Sequence, residues 1–231
     1  MNVLEVKNVD KSFDNKKIID NVSFAVKKNE IVGLLGKNGS GKTTIIKMIN
    51  DLLTIDKGEI LINGEKIGVS SKSQISYLPE RTYLDRSKTV LQVFDYFEDF
   101  YPDFDRKKAE RLLKDLDLDL NQKLSKMSKG MKEKVQLVLV MSRKASLYIL
   151  DEPLGGVDPS TRDYILQTIL SNFEDDSSLL ITTHLIADVE KILDRVIFID
   201  KGEIILDSDA DSLREHEGNS INEIFRRKVK W

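Results

Sequence analysis

The chain has 231 residues, room for one sizeable domain or two small ones, and its 36 Lys+Arg against 39 Asp+Glu leave a formal charge of −3. That near-balance speaks against a protein whose main work is gripping nucleic acid by charge. Cysteine is absent and only His184 and His216 are present, which excludes disulfides, thiolate metal sites and histidine metal clusters. No apolar run approaches the roughly 20 residues of a membrane span, and the first residues do not read as a signal peptide. The expectation is a soluble cytoplasmic protein whose membrane role, if any, is borrowed from a partner.

Val3, Val6 and Val9 belong to a strand ending near Phe13, and Ile18, Ile19, Val22, Phe24 and Val26 predict a second and a third strand. Ile31 to Leu35 is a continuous apolar run closed by Gly36, the pattern of a strand buried on both faces. Lys42 to Leu52 reads as a helix, and Glu59 to Ile62 followed by Asn63-Gly64 as a hairpin. The middle is helical: Val90, Val93, Phe94, Phe97, Phe100 and Tyr101 repeat every 3.6 residues, Leu112, Leu113 and Leu116 continue the style, and a third helix runs from about Lys129 to Ser142. The aromatic stripe of Phe94, Phe97, Phe100 and Tyr101 is expected in the core, with Tyr96 off the stripe. The last third alternates strand and helix. Leu147–Leu150, Ser178–Thr182, Val196–Ile199 and Glu203–Leu206 are the strands, and helices follow Asp158-Pro159 and His184. Such alternation implies a parallel sheet with helices on both faces. The basic end Arg226–Lys230 is expected to fray in solvent.

Gly36-Lys37-Asn38-Gly39-Ser40-Gly41-Lys42-Thr43 fits G-x-x-x-x-G-K-[ST] between a buried strand and a helix. The chemistry needs this spacing. Gly36, Gly39 and Gly41 let the backbone curl, so that N–H groups from Asn38 through Ser40 to Thr44 point inward as an anion nest. The helix start adds partial positive charge. Lys42 brings a full charge to the β- and γ-phosphates, and the Thr43 hydroxyl can ligate Mg²⁺. The second half is Leu147-Tyr148-Ile149-Leu150-Asp151-Glu152. An apolar strand delivers Asp151 to the carboxyl edge of the sheet, where it can hold a magnesium shell, and Glu152 can polarise a water for in-line attack.

With these two halves in place the chain resembles the ATP-binding subunit of an ABC transporter over residues 1 to 207. The resemblance rests also on Met127-Ser128-Lys129-Gly130-Met131, which stands where the family has Leu-Ser-Gly-Gly-Gln; Ser128 and Gly130 match and the other three positions depart. It implies an α/β fold: a P-loop NTPase (RecA-like) parallel-sheet core with an N-terminal antiparallel β subdomain and a helical subdomain. The expected division of a single domain over 1–231 is 1–78 and 144–207 for core and β subdomain, 79–143 for the helical subdomain and 208–231 for a helical tail.

The resemblance also implies residue roles. Phe13 stacks on adenine. Glu80 stands where most members have a glutamine that touches Mg²⁺ and the transmembrane partner, and its identity is closer to the drug- and antibiotic-export branch. Ser128 and Gly130 face the γ-phosphate of the opposite subunit. Asp158 reaches across the dimer or caps the helix at Pro159, and His184 contacts the γ-phosphate and positions the water. The implied protein uses ATP and Mg²⁺. It works as a homodimer or a heterodimer beneath a transmembrane permease at the inner face of the membrane, and binds no nucleic acid. A relative acting on ribosomes or DNA, and a small-molecule kinase on the same phosphate loop, are the alternatives.

Overall fold

The structure is a computed structural model and describes residues 1–155, 159–172 and 176–229, the side chains of 159–161 excepted. The described residues form two sheets. The first is antiparallel, in the order β2-β1-β4-β5, from β1 Asn2–Phe13, β2 Lys16–Lys27, β4 Lys57–Ile62 and β5 Glu65–Lys66. The second runs β10-β9-β3-β8-β7-β6, from β3 Ile31–Leu35, β6 Ile75–Leu78, β7 Leu147–Asp151, β8 Ser178–Thr183, β9 Arg195–Asp200 and β10 Glu203–Asp209. Five of its strands are parallel, and β10 pairs antiparallel at one edge. Helices are α1 Lys42–Ile49, α2 Val69–Ser73, α3 Val90–Phe100, α4 Arg106–Asp115, α5 Lys129–Met141, α6 Pro159–Asn172, α7 Ile186–Val189, α8 Ala210–Glu217 and α9 Ile221–Lys228. The fold is α/β, with the antiparallel sheet at the N-terminus and helices against the parallel core.

Two hydrophobic cores lie on opposite faces of the parallel sheet, and strand periodicity assigns residues to them. Val32, Leu34, Leu147 and Ile149 join the core that α1 shares with the antiparallel sheet, through Ile45, Ile46, Met48 and Ile49. Their neighbours Leu35, Tyr148 and Leu150 join the core built with α3, α4, α5 and α9. That is why β3 and β7 read as unbroken apolar runs.

Arg143, 4% exposed, ties the helical region to the edge of the sheet. Its guanidinium donates to the carbonyls of Ile75 (2.8 Å) and Ser73 (2.9 Å), forks onto the Asp103 carboxylate at 3.0 Å and lies 3.9 Å over the Tyr101 ring.

Four expectations need correction. Residues 16–27 are one strand: the break expected in it is a register shift against β1, where Asn8 and Asn21 adopt left-handed φ near 48°. Asn tolerates that conformation, and the two side chains bond across the strands at 3.0 Å. The first helix stops at Ile49, three residues early, because Asp51 turns left-handed at φ 53°. Of the aromatic stripe, Phe94 and Phe97 are buried, but Phe100 is 62% exposed and stacks on the exposed Tyr96 at 5.9 Å. The basic end does not fray up to Val229. Ser220 and Glu223 cap α9 reciprocally, Ile221, Ile224 and Phe225 are buried, and Glu217 pairs with Arg227 and Lys228. The Phe225 ring meets Phe198 of β9 edge-on at 5.1 Å.

Phe225→Ala should therefore lower unfolding stability by about 3 kcal/mol, the lower range for emptying an aromatic core position, as read from urea denaturation. An end without tertiary contacts would leave it unchanged.

Candidate active site

Sheet register assembles the site. Thr183 of β8 pairs with Leu35, the last residue of β3, and Thr182 pairs with Asp151, the last residue of β7. Three parallel strands thus end side by side, and the segment after each is held at one edge, where open α/β sheets bind ligands.

After β3 the chain curls. Gly39 and Gly41 stand at φ 82° and 111°, conformations that side chains resist. A Cβ on Gly36 would lie 2.4 Å from Ser40 Oγ and 2.6 Å from the Ile199 carbonyl, so the turn closes only without one. The Ser40 hydroxyl is buried in that turn, and helix α1 starts at Lys42 with no side-chain cap. Its first N–H groups, Lys42, Thr43 and Thr44, therefore remain available to an anion. Lys42 is 5% exposed; Nζ donates to the carbonyls of Gly36 (2.8 Å) and Lys37 (3.1 Å) and lies 3.4 Å from Glu152 Oε1. Its charge is thereby folded back over the loop.

The carboxylates come from β7. Asp151, 1% exposed, accepts a hydrogen bond from Thr182 Oγ1 at 2.5 Å and stands 3.5 Å from Thr43 Oγ1. Burial raises its pKa above the ordinary carboxylate value, and the two threonine hydroxyls oppose the rise. Glu152 adopts left-handed φ 50°, which costs a non-glycine residue about 1–2 kcal/mol. Its N–H donates to the Thr182 carbonyl at 2.9 Å. Glu152 Oε2 then accepts from Thr183 Oγ1 (3.1 Å) and the His184 N–H (3.3 Å) and contacts His184 Nδ1 at 2.9 Å. The acid is braced from one side by β8 and faces Lys42 on the other.

Asp151 Oδ2 is buried and unpartnered beside Thr43. An acceptor of that kind fits a magnesium ion, which takes one or two protein ligands and completes its shell with water and phosphate oxygens. Among the described residues no group of three acidic or histidine side chains is arranged to hold a metal alone.

These groups open on a cleft of about 1110 Å³, whose walls include Phe13, Asn38, Thr44, Glu80, Lys129 and His184. Phe13, 44% exposed, stands at the rim with Lys11 Nζ 5.5 Å from its ring centre. Ser128 caps α5 by accepting from the Met131 N–H at 3.2 Å, and a Cβ on Gly130 would meet nothing within 4 Å. The tip of α5 is open to an approaching group rather than closed on this chain's own loop. Asp158 lies outside the described residues. Sequence reasoning missed Thr182 and Thr183 as the hydroxyls that hold both acids; two threonines closing an apolar strand just before His184 were the available signal.

Known proteins place this arrangement. The family described as ABC transporter matches residues 19–155. The ABC transporter ATP-binding protein YtrB of Bacillus subtilis is 33% identical over 216 residues, spanning 92% of this chain and 74% of the relative. The SkfA peptide export ATP-binding protein SkfE of the same organism is 30% identical over 237 residues, 100% of this chain and 99% of the relative. A solved structure of an ATP-binding subunit of an ABC transporter superposes with a TM-score of 0.89 at 29% identity, covering 99% of this chain and all of that one. The chain belongs to the ABC transporter family. It is an ATP-binding subunit, an ATPase coupled to transmembrane transport.

Gly41→Ala forces an L-residue into φ 111° and brings a Cβ within 2.5 Å of Ile19 Cδ1. ATP affinity, followed by fluorescence of a labelled nucleotide, should fall about tenfold or more, the equivalent of the ~1.4 kcal/mol or more lost by the strained loop.

Proposed function

We propose that this subunit hydrolyses ATP in a nucleotide-sandwich dimer and powers export through a separate permease. The observation that carries the reading is the Glu152 carboxylate, braced by Thr183 and His184 and facing Lys42 at the mouth of the phosphate loop. The N–H groups from Asn38 to Thr44, with Gly36, Gly39, Ser40 and Gly41 shaping the turn, take the phosphates. Lys42 turns from Glu152 to the γ-phosphate, and Phe13 stacks on adenine. Thr43, Asp151 and Glu80 would hold a magnesium ion, which when bound would offset the charge that builds on the phosphate oxygens. Glu152 accepts a proton from water as the water oxygen bonds to the γ-phosphorus. The bond from phosphorus to the ADP oxygen breaks, and ADP and inorganic phosphate leave. His184 orients the water and contacts the γ-phosphate.

The second protomer, a copy of this chain or a related subunit, brings its Ser128–Gly130 helix tip and its Asp158 to the same nucleotide. ATP then favours the closed pair, and hydrolysis releases it. The peptide-export relative supports the direction of transport.

Residues 79–143 act as the helical subdomain that meets the permease. Leu52, Tyr83, Tyr96 and Phe100 are exposed around a groove of about 610 Å³ that also takes in Pro79 and Arg81, the neighbours of Glu80. A short apolar helix of the permease is its occupant, since an aromatic groove beside a metal ligand transmits movement directly to the site. No described helix is long and apolar enough to cross a membrane. In this reading the permease holds the subunit at the membrane's inner face.

Glu152→Gln should reduce hydrolysis at least about 100-fold, the lower range for losing a general base, and trap an ATP-bound dimer visible by light scattering. Hydrolysis at the parental rate would remove Glu152 from the role of base. Tyr96→Glu should abolish co-purification with the permease while nucleotide affinity is retained; permease recovered at the parental level would place the dock elsewhere.

A further inference from the structure

Gln136 has no role in the reaction described above, yet it lies at the centre of the site's inner side. It stands two turns beyond the tip of α5 and is 2% exposed. Its Nε2 donates to the carbonyl of Pro79, the residue before Glu80, at 3.2 Å. That carbonyl can only accept, so the amide is oriented with Oε1 turned away from it. Gln136 Oε1 is buried and has no hydrogen-bond partner. The same is true of Glu133 Oε2 and Asp151 Oδ2, and Glu152 Oε1 accepts no hydrogen bond, having only the Lys42 ammonium 3.4 Å away. All four residues line one cavity of about 20 Å³ between α5, the Glu80 loop and the end of β7.

Buried acceptors on residues that line one space call for a donor. The volume exceeds the roughly 10–15 Å³ a cavity needs to admit one water, and a water offers two protons and bridges almost as well as a direct bond. A metal ion fits less well, since no three acidic side chains among the described residues are arranged around one.

We infer that Gln136 is a positioning residue for the metal and hydrolysis site. Its N–H holds Pro79 and so fixes Glu80, while its carbonyl oxygen holds a buried water that donates to the Asp151–Glu152 strand end. The inference rests on the reading of Glu80 and Asp151 as magnesium ligands. It makes α5 a rigid link: the helix whose tip meets the partner's nucleotide also sets the ligands of its own protomer's site.

Gln136→Met keeps the length of the side chain and removes both donor and acceptor. Mn²⁺ serves as a paramagnetic probe, titrated into the ATP-loaded parent and variant and read by electron paramagnetic resonance. Mn²⁺ affinity should fall about tenfold, the lower range for loss of a partner behind a metal ligand, with ATP affinity in EDTA and melting temperature at parental values. Unchanged Mn²⁺ affinity overturns the inference, as does an equal loss of ATP affinity in EDTA, the signature of a packing role alone. A high-resolution crystal structure of the parent decides independently if the variant fails to fold. An ordered water within about 3.2 Å of Gln136 Oε1 and of an Asp151 or Glu152 oxygen supports the inference, and a cavity without one overturns it. A parent that retains no Mn²⁺ with ATP overturns the metal-site reading itself, a result distinct from a parent and variant that bind alike.

Discussion

The structure depends on a single alignment: the pairing of Asp151 with Thr182 on neighbouring parallel strands. It puts one carboxylate under a threonine hydroxyl and sends the next, Glu152, toward Thr183, His184 and Lys42. A slip of one residue would turn Asp151 to the other face of the sheet. The slip is prevented by burial, because Tyr148 and Leu150 face one core while Leu147 and Ile149 face the other. The placement of the two acids is thus secured by hydrophobic patterning some distance below it.

The loop from Gly36 to Thr43 is tightly turned, and the surrounding fold holds it so. Gly36 is pressed against the Ile199 carbonyl and Gly41 against Ile19, so the two sheets grip the loop from either side. Folding back Lys42 onto the carbonyls of Gly36 and Lys37 keeps its charge at the mouth of the nest. Arg143 does the corresponding work for the helical region, fastening the carbonyls of Ser73 and Ile75 to Asp103 and Tyr101.

Legibility differed sharply from one residue to the next. The turn from Gly36 to Thr43 was readable because its chemistry is local: glycines for positive φ, a lysine and a hydroxyl at the start of a helix. Strand β7 was readable for the same reason, an apolar run ending in two acids. Strand β6 passed unnoticed because four residues carry too little periodicity, and β2 was divided because a bulge at Asn21 interrupts its alternation. Phe100 was assigned to the core because helical spacing says only that a face is apolar; it does not say whether another chain covers it. The basic end Arg226–Lys230 reads as a solvated tail because chain termini commonly fray, and its anchors Ile221, Ile224 and Phe225 lie just before it.

By itself the sequence determined the class of chemistry. An anion nest, a lysine at a helix start and a strand ending in paired acids are each encoded in a short run of residues, and few other purposes call for them together. Tertiary structure alone decided which hydroxyls hold those acids, that Gln136 and Glu133 lie behind them, and that Phe100 joins Tyr96 on an exposed groove. The hydroxyls of Thr182 and Thr183 stand about thirty positions from the acids they hold, and such relations exist only once parallel strands with long crossovers have been laid side by side.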